Sequence, residues 1–318
     1  MNFEEFEGKI LSEIRNNDNQ CLGTIENNKK LISECFSNTE KPIRIKDFVN
    51  KLNDLILNIK DFNLIEKVLN HDLFVNVLNE FRNSEVLINA CKTEKKEVIE
   101  WLLSMKISPF VQDYRGMTAL MYAVKSKELE PVVETLIDNI VANGDSESLN
   151  LTDKNNENVL FHAATNEIIL RKFLSLDKNT FIDFNHKNNN GETVFIYCCK
   201  HDIVLSIGSL ILTDGVDLNA RDDRDRNGVM YLVDNARYVQ LFLLIKRRDK
   251  FDVNYRNKNQ ETLLSHLIQQ FRRIYNYTYN IKTLLMKKYY IFIFVIIITI
   301  INYINIHKIL LLFPLHYT

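Results

Sequence analysis

The stretch Asp222–Asp234, DDRDRNGVMYLVD, sets oxygen-bearing side chains at the spacing of a calcium loop. Counted from Asp223, oxygen ligands fall at positions one, three and five (Asp223, Asp225, Asn227). Gly228 falls at position six and Asp234 at position twelve. Such a loop coordinates a hard cation through those side chains and makes its sharp turn at the glycine. The flanks disagree with this reading. The approach TDGVDLNA (Thr213–Ala220) is an extended, glycine-bearing run where a helix should lead in, and no partner loop exists. Position twelve is Asp, not the bidentate Glu that suits calcium. A calcium-responsive protein acting through Asp223–Asp234 is one alternative function.

Other reactive side chains are scattered. The sequence holds no phosphate-binding glycine loop, no H-E-x-x-H, no nucleophile elbow and no kinase motif set. His162 and His266 are expected to pack on helices. The five cysteines (Cys21, Cys35, Cys91, Cys198, Cys199) form no C-x-x-C, and their number is odd. Adjacent Cys198 and Cys199 point about 100° apart on a helix and do not bridge. With an acidic, polar start (MNFEEFEGKI), a reducing cytoplasm or nucleus is the expected compartment for this part of the chain. These observations predict no enzyme and no cofactor. The net charge of -1 over 318 residues gives no sign of nucleic-acid binding, and no small-molecule substrate is indicated. Hydrophobic residues make up 46%, while Gly (8) and Pro (4) are scarce, which favours helices around a sizeable core.

What positions these residues is a repeat. DYRGMTALMYA from Asp113 shares a frame with DKNNENVLFHA from Asp153, NNNGETVFIYC from Asn188, DDRDRNGVMYL from Asp222 and NKNQETLLSHL from Asn257. A weaker copy starts near Glu80. Successive start numbers differ by 33, 40, 35, 34 and 35, the longest step holding the insert Ala142–Leu149. Second halves recur too: EVIEWLLSMKISPF (Glu97–Phe110), LILTDGVDLNARD (Leu210–Asp222) and FDVNYRN (Phe251–Asn257).

Both halves resemble the ankyrin repeat, D-x-x-G-x-T-P-L-H-x-A followed by L-L-x-x-G-A-D-V-N-A-x-D, over about Glu80 to Leu285. The proline slot holds Ala119, Val159, Val194, Gly228 and Leu263, the histidine slot is never His, and position four is Gly in only two copies. The resemblance implies an all-α solenoid of helix-turn-helix units joined by short hairpin loops. Leu87, Leu120, Leu160, Phe195, Val229 and Leu264 would form one buried seam, with small residues Ala90, Ala123, Ala163 and Cys198 allowing close approach. Asp222 then becomes position one of a repeat, which competes with its calcium reading.

Family members bind partners through hairpin tips and the ridge of first helices. Transferred residue by residue, the tips read Gln112, Tyr114, Arg115; Thr152, Lys154, Asn155; Lys187, Asn189, Asn190; Arg221, Asp223, Arg224; and Arg256, Lys258, Asn259. Seven of these are basic and one acidic, and Lys125, Lys200 and His201 continue the excess on the ridge. The expected function is a non-catalytic protein-protein scaffold. Its partner would be another protein carrying an acidic or phosphorylated segment. An alternative is the regulatory or targeting region of a larger signalling enzyme, such as a kinase, whose catalytic domain is absent from this chain.

The ends differ from the array. Residues 1–79 carry helical periodicity in FEGKILSEI, FVNKLNDLILNI and FNLIEKVLNHDLFVNVLNEF, with Asn38–Pro42 as a loop and Asp61 or Asn63 as a cap. They are read as an N-terminal helical cap, with a degenerate extra repeat within it as an alternative, residues 80–286 as about six repeats and residues 287–318 as a hydrophobic tail. The run from Tyr289 is apolar through Ile301 and, with Asn302 and Asn305 tolerated, reaches about 18 residues, near the minimum for a span. As a membrane anchor it would insert Tyr289, Ile291, Phe292, Phe294, Ile297 and Ile301, with Lys287 and Lys288 holding the array in the cytoplasm. Translated A/T-rich non-coding sequence and a buried capping helix are the other two readings of this tail.

Overall fold

The computed structural model describes residues 1–36, 42–176, 182–247 and 250–278. The described residues contain no strand; one isolated antiparallel bridge joins Arg221 and Asn227. The chain divides into two units, Met1–Lys154 and Asn155–Thr318.

The first unit opens with α1 (Phe3–Arg15), α2 (Gln20–Asn27), α3 (Lys29–Phe36) and α4 (Pro42–Ile56). Asn2 and Glu5 close a reciprocal capping box on α1, satisfying amides that have no partner within the helix. Phe36 sits 5.6, 5.5 and 5.4 Å, ring to ring, from Phe3, Phe48 and Phe74. Each fully buried phenyl contributes about 1.5–3 kcal/mol. The run Asn63–Arg82, helical by periodicity, is broken in two. After α5 (Asn63–Leu69), His71 adopts an extended conformation and its Nδ1 accepts the Leu73 N–H at 3.2 Å, before a short 3-10 turn leads into α6 (Val75–Arg82). Asp61 supplies the capping contact of α5, its Oδ1 accepting the Asn63 N–H at 3.0 Å.

Paired helices follow: α7 (Val86–Lys92) with α8 (Lys96–Ser104), then α9 (Ala119–Ala123) with α10 (Glu130–Ala142). The missing N–H of Pro131 is harmless in the first turn of α10. Trp101 of α8 stacks on Phe62 at 4.7 Å, a packing role.

The second unit repeats the scheme with α11 (Val159–Ala163), α12 (Glu167–Leu174), α13 (Val194–Lys200), α14 (Val204–Leu212), α15 (Gly228–Asp234), α16 (Tyr238–Lys246) and α17 (Leu263–Thr278). First helices α11, α13, α15 and α17 contact in succession, as do second helices α12, α14 and α16. First helices of five to seven residues are too short to persist alone and depend on this stacking. Leu87, Leu120, Leu160, Phe195 and Val229 are buried, as are the small residues Ala90, Ala123, Ala163 and Cys198. Leu264 is only half-buried, because among the described residues its copy is flanked on one side alone. Burial pushes the Cys198 thiol up to about 12 and also raises that of Cys199, so both behave as inert packing groups. Phe195 exceeds the leucine usual in its slot, and the next copy compensates. A Cβ on Gly228 would lie 2.6 Å from the Phe195 ring, which explains glycine in the proline slot.

Tyr289, Ile291, Phe292, Phe294, Ile297 and Ile301 lie outside the described residues, as does the expected loop 38–41. Among the described residues, no helix is long and apolar enough to cross a membrane.

Candidate protein-binding site

The hairpins are built by three side-chain positions. At position one, Oδ1 of Asp113 accepts the N–H groups of Arg115 (2.9 Å) and Met117 (3.0 Å). Asn188, Asp222 and Asn257 repeat this with Asn190 and Glu192, Arg224 and Arg226, and Asn259 and Glu261. At position four the chain is left-handed in the five copies from Asp113 onward: φ is 76° at Gly116, 59° at Asn156, 70° at Gly191, 59° at Asp225 and 61° at Gln260. Glycine relieves that conformation where neighbours crowd it, as at Gly191, whose added Cβ would lie 2.8 Å from the Asp223 nitrogen. At position six, Thr118, Asn158, Thr193, Asn227 and Thr262 each accept a backbone N–H and start the first helix.

Adjacent tips are laced together within each unit. The N–H at position two reaches the carbonyl at position three of the preceding copy: Lys154 to Arg115 (3.0 Å), Asn189 to Asn155 (2.9 Å) and Asp223 to Asn190 (3.1 Å). At the last described tip, the Lys258 N–H instead meets Oδ2 of Asp225 at 2.6 Å. Below the tips a second ladder runs through asparagines that the sequence reading did not single out. Asn185 accepts from Asp217 N–H (2.7 Å) and donates to the Gly215 carbonyl (2.8 Å). Asn219 does the same with Asp252 and Lys250. The recurring D-x-N of Asp183–Asn185, Asp217–Asn219 and Asp252–Asn254 was the available signal.

This lacing sets the charge pattern. Of the calcium-type acids, Asp225 is occupied by Lys258 N–H and Arg221, and Asp234 by Arg226, His266 and Gln270, while Asp223 is exposed; Asp222 beside it is held by its turn and the Tyr231 hydroxyl (2.5 Å). Burial opposes ionisation of Asp234, yet its His266 and Arg226 contacts hold it below the usual carboxylate range. The string is therefore a repeat turn.

Of the tip and ridge residues, Tyr114, Arg115, Lys125 and Lys154 stand exposed in the first unit. The Arg115 Nε donates to the Tyr114 hydroxyl (2.8 Å), and the Lys154 amine lies 5.9 Å from the Tyr114 ring. In the second unit Asn155, Lys187, Asn189, His201, Arg221, Arg224, Arg256 and Lys258 are exposed. Lys200 departs from expectation: it is half-buried, and its amine pairs with the buried Glu192 carboxylate. Two further basic groups are partly committed. Arg221 lies 4.4 Å over the Tyr255 ring and 3.3 Å from Asp225, and the Lys187 amine donates to the Arg221 carbonyl (2.8 Å). His201 packs on Tyr197 at 4.4 Å. Arg224, Arg256, Lys258 and Lys125 form no ion pair among the described residues.

Comparison with known proteins gives the fold a name. Residues 52–147 match the family model for ankyrin repeats, in three copies. That match begins ahead of Glu80. A search of curated proteins finds no match. Among solved structures, the ankyrin-repeat protein EF0377 aligns at 16% identity and TM-score 0.50, covering 59% of this chain and 92% of that one. The ankyrin repeat domain of Bcl-3, an IkappaB family member, aligns at 19% identity and TM-score 0.48, covering 58% and 84%. A chain from the complex of Bd0816, a predatory endopeptidase from Bdellovibrio bacteriovorus, with the immunity protein Bd3460 aligns at 20% identity and TM-score 0.43, covering 60% and 94%. Residues 52–147, within the first unit, are thus ankyrin repeats by their family model, and the same capped helix pairs stack through the second unit, which shares that all-α fold.

Proposed function

We propose that this chain is a non-catalytic scaffold that binds an acidic or phosphorylated segment of another protein across its basic hairpin tips. Ankyrin repeats mediate protein-protein interaction, and the finer reading rests on one observation. The hairpin acids Asp113, Glu192, Asp222 and Asp225 are turned inward or paired, which leaves Asp223 as the exposed acid of the tips, whereas Arg224, Arg256 and Lys258 stand outward without ion pairs among the described residues. An exposed basic excess speeds encounter with an anionic partner and selects against cationic ones. Tyr114, with Arg115 and Lys154 beside it, offers a comparable tip in the first unit.

A fluorescent glutamate-rich peptide tests this. Arg224→Glu, Arg256→Glu and Lys258→Glu together should weaken binding by roughly 30-fold or more, at about 1 kcal/mol or less per exposed contact plus the new repulsion. Affinity in the unaltered protein should fall as salt rises. Binding that ignores both salt and the triple charge reversal would sink the reading.

A further inference from the structure

Helix α14, VLSIGSLIL, has no charged residue, and its two polar side chains face inward. Ser206 Oγ donates to the Ala164 carbonyl (2.5 Å) and Ser209 Oγ to Glu167 (2.9 Å). Its outer face is therefore apolar: Leu205 is 67% and Leu212 60% exposed, and between them a Cβ on Gly208 would meet nothing within 4 Å. The neighbouring second helices extend the patch. Ile168, Leu205 and Val239 each occupy the second position of α12, α14 and α16, and they are 67%, 67% and 60% exposed. The same position holds Glu97 in α8 and Pro131 in α10, so the stripe is confined to the second unit. A helix apolar on all sides is ordinarily covered on all sides.

We propose that this stripe is the docking surface for the chain's own apolar segment Tyr289–Ile301. Two arguments favour that occupant. Four aliphatic side chains supply a few hundred Å², well short of the roughly 800 Å² per partner of a stable dimer, so a second copy fits poorly. The path of the chain also leads there. Helix α17 starts after the Thr262 cap as α15 starts after Asn227, but it runs 16 residues where α15 runs 7. At 1.5 Å per residue it overshoots the end of the first helices by roughly 13 Å. That end is where first helices hand over to second helices, the edge at which Ile168, Leu205 and Val239 lie. The residues between Thr278 and Tyr289 reach up to about 35 Å, while stacked helices sit about 8–10 Å apart. The segment carries thirteen residues without a charge, and covering the stripe would take both apolar surfaces out of water.

The test uses the full chain. All five native cysteines are buried, so Leu205→Cys provides the fast-reacting thiol for a polar maleimide. The proposal expects slow labelling at Leu205→Cys, accelerated about tenfold or more when Phe294→Asp and Ile297→Asp charge the segment. Labelling of Tyr114→Cys, far along the sequence at an exposed tip, should stay unchanged by that pair. Continued slow labelling of the native cysteines shows that the array remains folded. In the reciprocal variant, Ile297→Cys should label faster once Leu205→Lys is added. Equal, fast labelling at Leu205→Cys with and without the charged segment overturns the proposal. Equal, slow labelling also overturns it, since another molecule would then cover the stripe. A chain that partitions into phosphatidylcholine vesicles with Leu205→Cys freely reactive overturns it in favour of a membrane anchor.

Discussion

The hairpins at Asp113 and Asn188 hold the same backbone with opposite chemistry. In both, position one accepts two N–H groups through Oδ1 and donates its own N–H to the carbonyl of position five. The second polar atom differs. Oδ2 of Asp113 accepts the hydroxyl of Tyr122 at position ten (2.8 Å), and Asp222 pairs likewise with Tyr231. Nδ2 of Asn188 donates to Glu192 at position five (3.1 Å), and Asn257 pairs likewise with Glu261 (2.8 Å). Where position one is Asp in these pairs, position five is Met117 or Arg226; where it is Asn, position five is Glu. A buried anion is thus present in the Asp113 and Asn188 hairpins, but on different residues. Its cation differs too: Lys92 of the preceding first helix reaches Asp113 (2.8 Å), whereas Glu192 takes Lys200 from its own copy. The Asp113 cluster therefore ties two repeats together through an ion pair, whereas the Asn188 cluster keeps its ion pair within one repeat and reaches the preceding copy through a long Nδ2 contact to Glu157 (3.4 Å).

The largest way to break this contrast is Asp113→Ala. It leaves the Lys92 amine, the Tyr122 hydroxyl and two turn amides without their acceptor, and should cost about 3–5 kcal/mol in denaturant unfolding. Asn257→Ala, which orphans no cation, should cost about 1–2 kcal/mol. Equal losses would show that the Lys92 tie carries nothing. Next, Asn188→Asp sets a carboxylate against Glu192 across a 3.1 Å contact and should lose about 2 kcal/mol through like-charge repulsion. Adding Glu192→Gln reverses the polarity of that bond and should recover most of the loss; no recovery would mean the sign of the second atom is irrelevant.

Acid should separate the two hairpins further. Burial works against charge on Asp113, but bonds from Lys92, Tyr122 and the turn amides outweigh it and bring its carboxyl to about 2 from 3.8. Stability from this group is present above about pH 4 and is lost as pH falls through 2, on the order of 2 kcal/mol in all. Amide exchange at Arg115 and Met117 should accelerate over that window. The Asn257 turn should hold its Asn259 and Glu261 amides, because an amide oxygen does not titrate there. Identical acid behaviour of the two turns would contradict the assignment.

Much of this was legible in the sequence. The phase of the copies located the seam at position eight, since it depends on spacing and residue type alone. The break at His71 was not legible, because apolar periodicity ran straight through it while the local His71–Leu73 bond decided the conformation. The tips were legible as positions but not as free charges. Lys200 turned to Glu192 inside its own copy, a side-chain choice that spacing does not fix, and Arg221 to Tyr255, a contact that sequence distance conceals. The second ladder of asparagines escaped notice although D-x-N recurs in phase, because each amide acts on a neighbour about thirty residues away.

Position four offers the finest comparison. Gly116 and Gly191 occupy the left-handed turn without a side chain, whereas Asp225 holds the same conformation at φ 59° and uses its carboxylate for the Lys258 N–H. Asp225→Gly therefore removes one charge-assisted hydrogen bond, worth about 1.5–3 kcal/mol gross, and the Arg221 pair at the surface. It also relieves a left-handed non-glycine residue, whose strain is of order 1 kcal/mol. The Lys258 N–H can then approach the Arg224 carbonyl, restoring the lacing seen between Asp223 and Asn190. These opposing effects predict a net change within about 1 kcal/mol, with Arg221 released toward solvent. A loss above about 2 kcal/mol in thermal unfolding would show instead that the Asp225 carboxylate is the indispensable tie to the last described repeat.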